Sequence, residues 1–349
     1  MTTQLRSKPP GQAQPFFFGG LVKSLPKILC FILAIIPVIM FCFVVINLAW
    51  HTRPIFQAPT FDVNHDGVIN GKDYVGLRGV FATHISTDVT GNLGQYGLIP
   101  GIWGTVLLVI IAMGIATPIA LMMAIFASEF TLGFLGRGMR ALLGMLSGIP
   151  PIIYALMWIV VFDAIIVPNF RANGLFPPAG MTWYHSPAPN STLIGGIIIA
   201  MLLIPFIAPL FGDAIRNVPS SYKEASLGLG ATRWYTLVHV TLPAAFSGIL
   251  SGIRLGILKT MGDVIIVSAV IGIQTNIPNP FFDVFRPIAP LSATGVGLAG
   301  GFSQSASDPI AYATANFAAI LLIVMAFVII LLETMLQRRF KKRFSPNGR

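Results

Sequence analysis

Apolar residues recur along this chain in blocks long enough to cross a bilayer, with short polar stretches between them. The blocks cover residues 28–50, 101–127, 141–162, 192–211, 244–272 and 310–336. About 20 apolar residues in helical form span the hydrocarbon of a membrane. The pattern therefore predicts an all-α membrane protein with six transmembrane helices. Residues 1–27 read as a polar, basic tail, 51–100 as a long loop, and 337–349 as a second basic tail. Several blocks carry helix breakers: Thr117-Pro118, Gly148-Ile149-Pro150-Pro151, and Pro205 with Pro209. Freed backbone groups inside a bilayer need other protein or a water-filled cavity, so these positions predict interrupted spans.

Composition agrees. Of 349 residues, 55% are hydrophobic and only 10% charged, against roughly 25% charged in a soluble domain. The net charge of +10 is a topology signal here and implies no nucleic-acid partner, because the cations sit beside apolar runs. With the N-terminus inside, the inner segments hold Arg6, Lys8, Lys23 and Lys27; Arg137 and Arg140; Arg216, Lys223 and Arg233; and the tail Arg338-Arg339 with Lys341-Lys342-Arg343. The outer loops hold Arg53, Lys72, Arg78, Arg171 and Arg286. The bias predicts that both termini are cytoplasmic and that 51–100 is extracytoplasmic. Cys30 and Cys42 both fall in the first block, about 18 Å apart on a helix, so they cannot bridge within it.

One polar segment stands out, residues 220–243 between the fourth and fifth blocks. Glu224, Ala225 and Leu227 form a first short helix. Gly228 and Gly230 permit a sharp turn, and Thr232 or Ala231 opens a second helix bearing Trp234 and Leu237. Pro243 marks the start of the next span. A helix–glycine–helix fold exposed between two spans is shaped for another protein to grip.

The spacing in this segment resembles the docking loop of ATP-binding-cassette import permeases. That family's pattern is Glu-Ala-Ala, three residues, Gly, nine residues, Ile, one residue, Leu-Pro. Here it reads Glu224, Ala225, Ser226, then Gly230, then Val240, then Leu242-Pro243. Ser226 and Val240 are mild departures. Ala127-Ser-Glu-Phe130, Gly148-Ile-Pro-Pro-Ile-Ile-Tyr154, Leu203-Ile-Pro-Phe-Ile-Ala208 and Gly212-Asp-Ala-Ile-Arg-Asn-Val-Pro219 resemble the permease subunits of bacterial phosphate importers. The resemblance runs from about Gly101 to Leu336. It implies the type I importer permease fold, with a cytoplasmic coupling helix in loop 212–243, in the bacterial inner membrane. It also implies a second homologous permease, a dimer of ATP-binding subunits and an extracytoplasmic phosphate-binding protein as partners, besides membrane lipid. Glu224, Ala225, Ser226, Gly230, Leu242 and Pro243 would be the ATPase-coupling residues. The chain contains no Gly-x-x-x-x-Gly-Lys-Ser/Thr run, so it has no phosphate-cradling ATP loop of its own. It is expected to be no enzyme, with ATP hydrolysis on a separate subunit.

An anion crossing a bilayer needs cationic or N–H donor groups near the midplane. The fifth block carries Arg254, Lys259 and Asp263. Lys259 and Asp263 are four apart and, in a continuous helix, share a face. They read as a substrate-path pair, with Thr260 beside them, or as a buried ion pair that fixes packing. The phosphate permeases show Arg-x-x-Gly-Glu at this place, whereas Lys259-Thr-Met-Gly262-Asp263 keeps the charges without arginine's bidentate fork. Arg254 is expected to snorkel to the interface. Gly248, Gly252 and Gly256 form a stripe for close helix approach, either within the subunit or at a permease–permease seam.

Residues 62–73 follow a calcium-loop plan. Asp62, Asn64, Asp66, Asn70 and Asp73 occupy positions 1, 3, 5, 9 and 12, Gly67 is at 6, and Val68 offers its carbonyl at 7. The expectation is a structural Ca²⁺ that pins the outer loop; the alternative is an Asx-rich turn without metal. The family resemblance implies a phosphate importer subunit. A sulfate, molybdate or tungstate permease is the alternative within the class, and an ATP-independent channel or secondary transporter the alternative outside it.

Overall fold

The computed structural model describes residues 18–56, 80–81, 97–131, 134–157, 160–161, 191–271, 281–296, 298 and 309–344. The calcium-like loop, the outer loop 163–190 and both chain ends lie outside the described residues. The chain divides into two units, Met1–Trp50 and His51–Arg349.

The described residues of the first unit lie in one helix, α1, Phe18–His51. Its segment Leu33–His51 is long and apolar enough to cross a membrane. Apolar side chains such as Phe31, Met40 and Phe43 are exposed around it, as suits a helix solvated by lipid. The helix begins at Phe18, so residues 18–27, expected to belong to a polar tail, are helical. Cys30 and Cys42 are free.

The second unit holds the remaining helices. α2 is Ile99–Ile125, followed by a π-helical turn, Phe126–Phe130. Pro118 lies inside α2 without interrupting it, contrary to expectation. A proline removes one hydrogen bond, to the carbonyl four residues back, here that of Gly114, and the flanking turns hold the helix together. The third apolar block does break. α3, Phe134–Ser147, and α4, Pro151–Met157, meet at 87° across Gly148-Ile149-Pro150. α3 also absorbs Arg137 and Arg140, which were expected in a loop.

α5, Thr192–Arg216, accommodates Pro205 and Pro209. Ser191 caps it, its Oγ accepting from the Ile194 amide at 3.3 Å. α6 is Ser220–Gly228. α7 runs Arg233–Gly262, with a π-helical turn at Leu237–Thr241 where a separate helix end was expected. The fifth span was predicted to continue to residue 272, but it stops at Gly262. Asp263 sits between helices, and α8, Val264–Val270, starts after it. Gly262 is a poor helix former, and the Asp263 carboxylate caps the new helix by accepting from the Ile266 amide at 3.4 Å.

The core lies where α2, α5, α7 and α8 meet. Ala112, Ala116, Ala120 and Ala124 are all buried on one face of α2, and α5 packs along it. Small residues let the backbones approach, and close packing supplies the attraction that lipid leaves out. A Cβ on Gly196 would stand 2.4 Å from Ile111 Cγ2. The glycine stripe of α7 faces inward too. A Cβ on Gly248 would meet Ala214 Cβ at 2.6 Å, on Gly252 Phe211 Cε1 at 2.7 Å, and on Gly256 Met113 Sδ at 2.9 Å. The stripe therefore packs within the subunit.

Part of the Gly/Pro/Ser-rich segment between the fifth and sixth spans is also core. α9, Leu291–Val296, is buried over Leu291–Thr294. Two threonines hold the chain leading into it. Thr192 Oγ1 donates to Arg286 O at 2.8 Å and accepts from the Ile288 amide at 3.0 Å. Thr105 Oγ1 accepts from the Leu291 amide at 2.9 Å. α10, Pro309–Phe344, closes the unit. Among the described residues, α1, α2 with its π turn, α5, α7 and α10 are long and apolar enough to cross a membrane, and the bent α3–α4 pair is a broken span or a re-entrant loop.

Candidate functional site

The hairpin between α5 and α7 projects from this bundle. α6 buries none of its residues. Leu229 is 90% exposed, and Tyr222, Trp234 and Tyr235 are more than half exposed. Gly230 makes the turn with φ of 86°, a left-handed conformation that glycine adopts without a Cβ penalty. Thr232 caps the start of α7, its Oγ1 accepting from the Tyr235 amide at 3.2 Å. Ser226 and Thr236 hydroxyls pair at 2.9 Å and tie the two arms together. His239 stacks on Tyr235 with ring centroids 4.2 Å apart, a local packing role. Exposed aromatic and aliphatic side chains on a pre-shaped turn form a surface that another protein can cover.

Glu224, Ala225 and Gly230 lie on this exposed hairpin, with Ser226 half-buried at its waist, while Leu242 and Pro243 lie within α7. A long-range contact ties α6 to the second span: Lys223 forms a hydrogen-bonded ion pair with Glu129 in the π turn that ends α2. Nothing in the spacing of residues 94 positions apart signals that pairing.

The charged groups of the fifth span are arranged differently from expectation. Lys259 and Asp263 do not share a helix face, because the helix ends between them, and no ion pair joins them among the described residues. The Lys259 ammonium instead lies over the Phe206 ring, 4.9 Å from its centroid, a cation–π contact. Asp263 is 8% exposed, with its carboxylate on the Ile266 amide. Thr260 is buried, and its hydroxyl donates to Gly256 O at 2.9 Å, so it is satisfied within its own helix. Arg254 does not snorkel. Its Nη1 donates to Glu333 Oε2 of α10 at 2.9 Å. Ser251 Oγ reaches the same carboxylate at 3.4 Å, and Gln337 Nε2 donates to Ser251 Oγ at 2.9 Å. Glu333 and Gln337 escaped the sequence reading. The signal was there: one carboxylate in an apolar block, which a bilayer tolerates only with a partner.

The predicted metal ligands, Asp62, Asn64, Asp66, Val68, Asn70 and Asp73, lie outside the described residues.

A bundle of apolar helices with a span broken at a charged residue, and an exposed hairpin for a partner, defines a membrane transport permease. The chain belongs to the family of binding-protein-dependent transport system inner membrane components, whose sequence model matches residues 99–345. It is 32% identical over 221 residues to the phosphate transport system permease protein PstC of Haemophilus influenzae, covering 61% of this chain and 69% of that protein. It is 29% identical over 278 residues to PstC of Xylella fastidiosa, covering 78% and 83%. Among solved structures it is similar to a bacterial ABC transporter that imports alginate, with TM-score 0.56 and 17% identity over 91% of this chain and 98% of that one. The inward-facing MetNI methionine ABC transporter gives TM-score 0.51 and 18% identity, covering 70% and 95%. At these identities the likeness concerns the fold, which is that of the ABC importer permeases.

Proposed function

We propose that this chain is a permease subunit of an ATP-driven phosphate importer and that, with a second homologous permease, it forms the path of the ion across the cytoplasmic membrane. The observation that carries this reading is the exposed helix–Gly230–helix hairpin on a bundle whose relatives are named as phosphate transport permeases. A separate pair of ATP-binding subunits docks on α6 and its flanking aromatic residues. An extracytoplasmic binding protein delivers phosphate to the opposite face. The cation bias of the sequence supports a cytoplasmic hairpin and cytoplasmic termini, on the side where ATP is found.

The chemistry in the path follows from the break at Asp263. The Lys259 ammonium lies over the Phe206 ring and forms no ion pair among the described residues, so it can meet an anion without first breaking one. Asp263 keeps α8 in place and adds a negative charge close by, which favours release over tight retention. The hairpin carries the stroke of the motor, and the spans alternate between outward and inward access.

The test is uptake of radiolabelled phosphate by the assembled complex in proteoliposomes, competed with sulfate and molybdate. Uptake that needs ATP and resists both competitors is expected, with an ATPase subunit co-purifying. Uptake without a nucleotide-hydrolysing partner would refute the reading, and competition by molybdate at equal concentration would reassign the ion.

A further inference from the structure

Resting on that reading, we propose that the Glu129–Lys223 ion pair is the strut through which a displacement of α6 reaches the second span, which makes both residues positioning residues of transport. No residue of α6 is fully buried, and apart from the Ser226–Thr236 hydrogen bond inside the hairpin its hold on the second span is a charged one. Its fixed point is Lys223, whose ammonium bonds the Glu129 carboxylate 94 residues away. The two side chains are 24% and 23% exposed, so water only partly screens them. A charged hydrogen bond resists sliding where a loose apolar contact would not.

The receiving end is built to be stiff. Glu129 sits in the π-helical turn Phe126–Phe130. Ser128 Oγ donates to Ala124 O at 2.7 Å, the Thr131 amide donates to Phe126 O at 3.0 Å, and Arg140 Nη1 of α3 donates to Ala127 O at 3.1 Å. A force on Glu129 therefore acts on α2 and α3 together. α2 passes it to α5 along the alanine face and to α7 at Gly256. α3 leads to the 87° bend before α4. The strut joins the docking surface to the two elements best able to change the shape of the path.

The experiment uses the full chain in its complex, comparing Lys223→Glu, Glu129→Lys, the double exchange and the conservative Lys223→Arg. Phosphate uptake, ATP hydrolysis and the amount of co-purified ATPase are measured together. A Thr131→Cys reporter is added to each on a Cys30→Ser, Cys42→Ser background, and its nucleotide-dependent thiol reactivity reads the movement of the turn whichever ion is carried. Each reversal is expected to lower uptake about tenfold, with ATPase still bound and hydrolysing, and the exchange to restore it to within about twofold. Lys223→Arg should transport normally. The reporter should lose its nucleotide response in the single reversals and regain it in the exchange. Wild-type uptake in either reversal, an exchange no better than the singles, or loss of the ATPase itself would overturn the strut. Failure of the unmodified complex to move phosphate, with the reporter pattern intact, would sink the substrate assignment alone.

Discussion

Arg254 of α7 donates to the carboxylate of Glu333 on α10 at 2.9 Å, and the Glu333 side chain is only 6% exposed. Within a bilayer such a pair holds two spans at a fixed height, since neither charge can leave its partner cheaply. Removing one partner strands the other. Arg254→Ala or Glu333→Ala should each cost about 3–5 kcal/mol, while Arg254→Met with Glu333→Leu should recover most of the loss. Thermal denaturation of purified protein in detergent measures this. Equal stability of the single and double variants would contradict a buried pair.

The turn at Gly230 separates conformational strain from crowding. A Cβ there would meet nothing within 4 Å, yet φ is 86°. A β-branched residue should cost more than the roughly 1–2 kcal/mol of an ordinary left-handed residue, whereas asparagine tolerates the region. Gly230→Val should reduce ATPase co-purification and uptake sharply, and Gly230→Asn should reduce them little. Gly230→Arg should abolish uptake while leaving the protein in the membrane, as assayed by membrane fractionation beside transport. Normal uptake in Gly230→Arg would refute the docking role.

Asp263 combines a cap with a charge, and two substitutions part them. Asn caps a helix as well as Asp, whereas Ala costs about 1 kcal/mol. Asp263→Asn should therefore keep the melting temperature and change the kinetics of uptake, and Asp263→Ala should lower both. Lys259→Gln should depress phosphate uptake without loss of protein from the membrane. Wild-type transport in Lys259→Gln would remove this residue from the ion path.

The glycine stripe predicts a steric effect that depends on position. Gly252→Ala would bring a Cβ to 2.7 Å from Phe211 Cε1 and should destabilise by about 1–3 kcal/mol through overpacking. Gly144→Ala, where a Cβ meets nothing within 4 Å, should be neutral or stabilising by up to about 1 kcal/mol. Melting temperatures of the two variants in one detergent decide the matter.

For the 62–73 loop, calcium at millimolar concentration should raise the melting temperature of the full chain, and Asp62→Ala with Asp66→Ala should abolish the rise. Calorimetry that records no calcium-dependent heat for the unaltered chain would favour the metal-free turn.

Residues near one another in the chain were the readable ones. Glu224, Gly230, Thr232 and Pro243 announce the hairpin because turn and capping preferences act over a few residues. Gly148 and Pro150-Pro151 announce the bend for the same reason. The break at Gly262-Asp263 was written as locally, a poor helix former followed by a good cap, but it was hidden by the apolar run that continues to residue 271.

The sequence alone determined that this chain lives in a membrane, which apolar blocks are long enough to cross it, and which polar segment folds as a helix–glycine–helix hairpin. Hydropathy, helix length and turn chemistry are properties of contiguous residues, and lipid leaves few alternatives for such a chain. Only the tertiary structure decided which charges pair. Lys223 found Glu129, Arg254 found Glu333, and Lys259 settled over Phe206 without an ion pair to Asp263. The physical reason is that a charge in a low-dielectric bundle joins whichever opposite charge or ring face the helix packing brings within reach, and small residues such as Gly196, Gly252 and Ala116 set that packing.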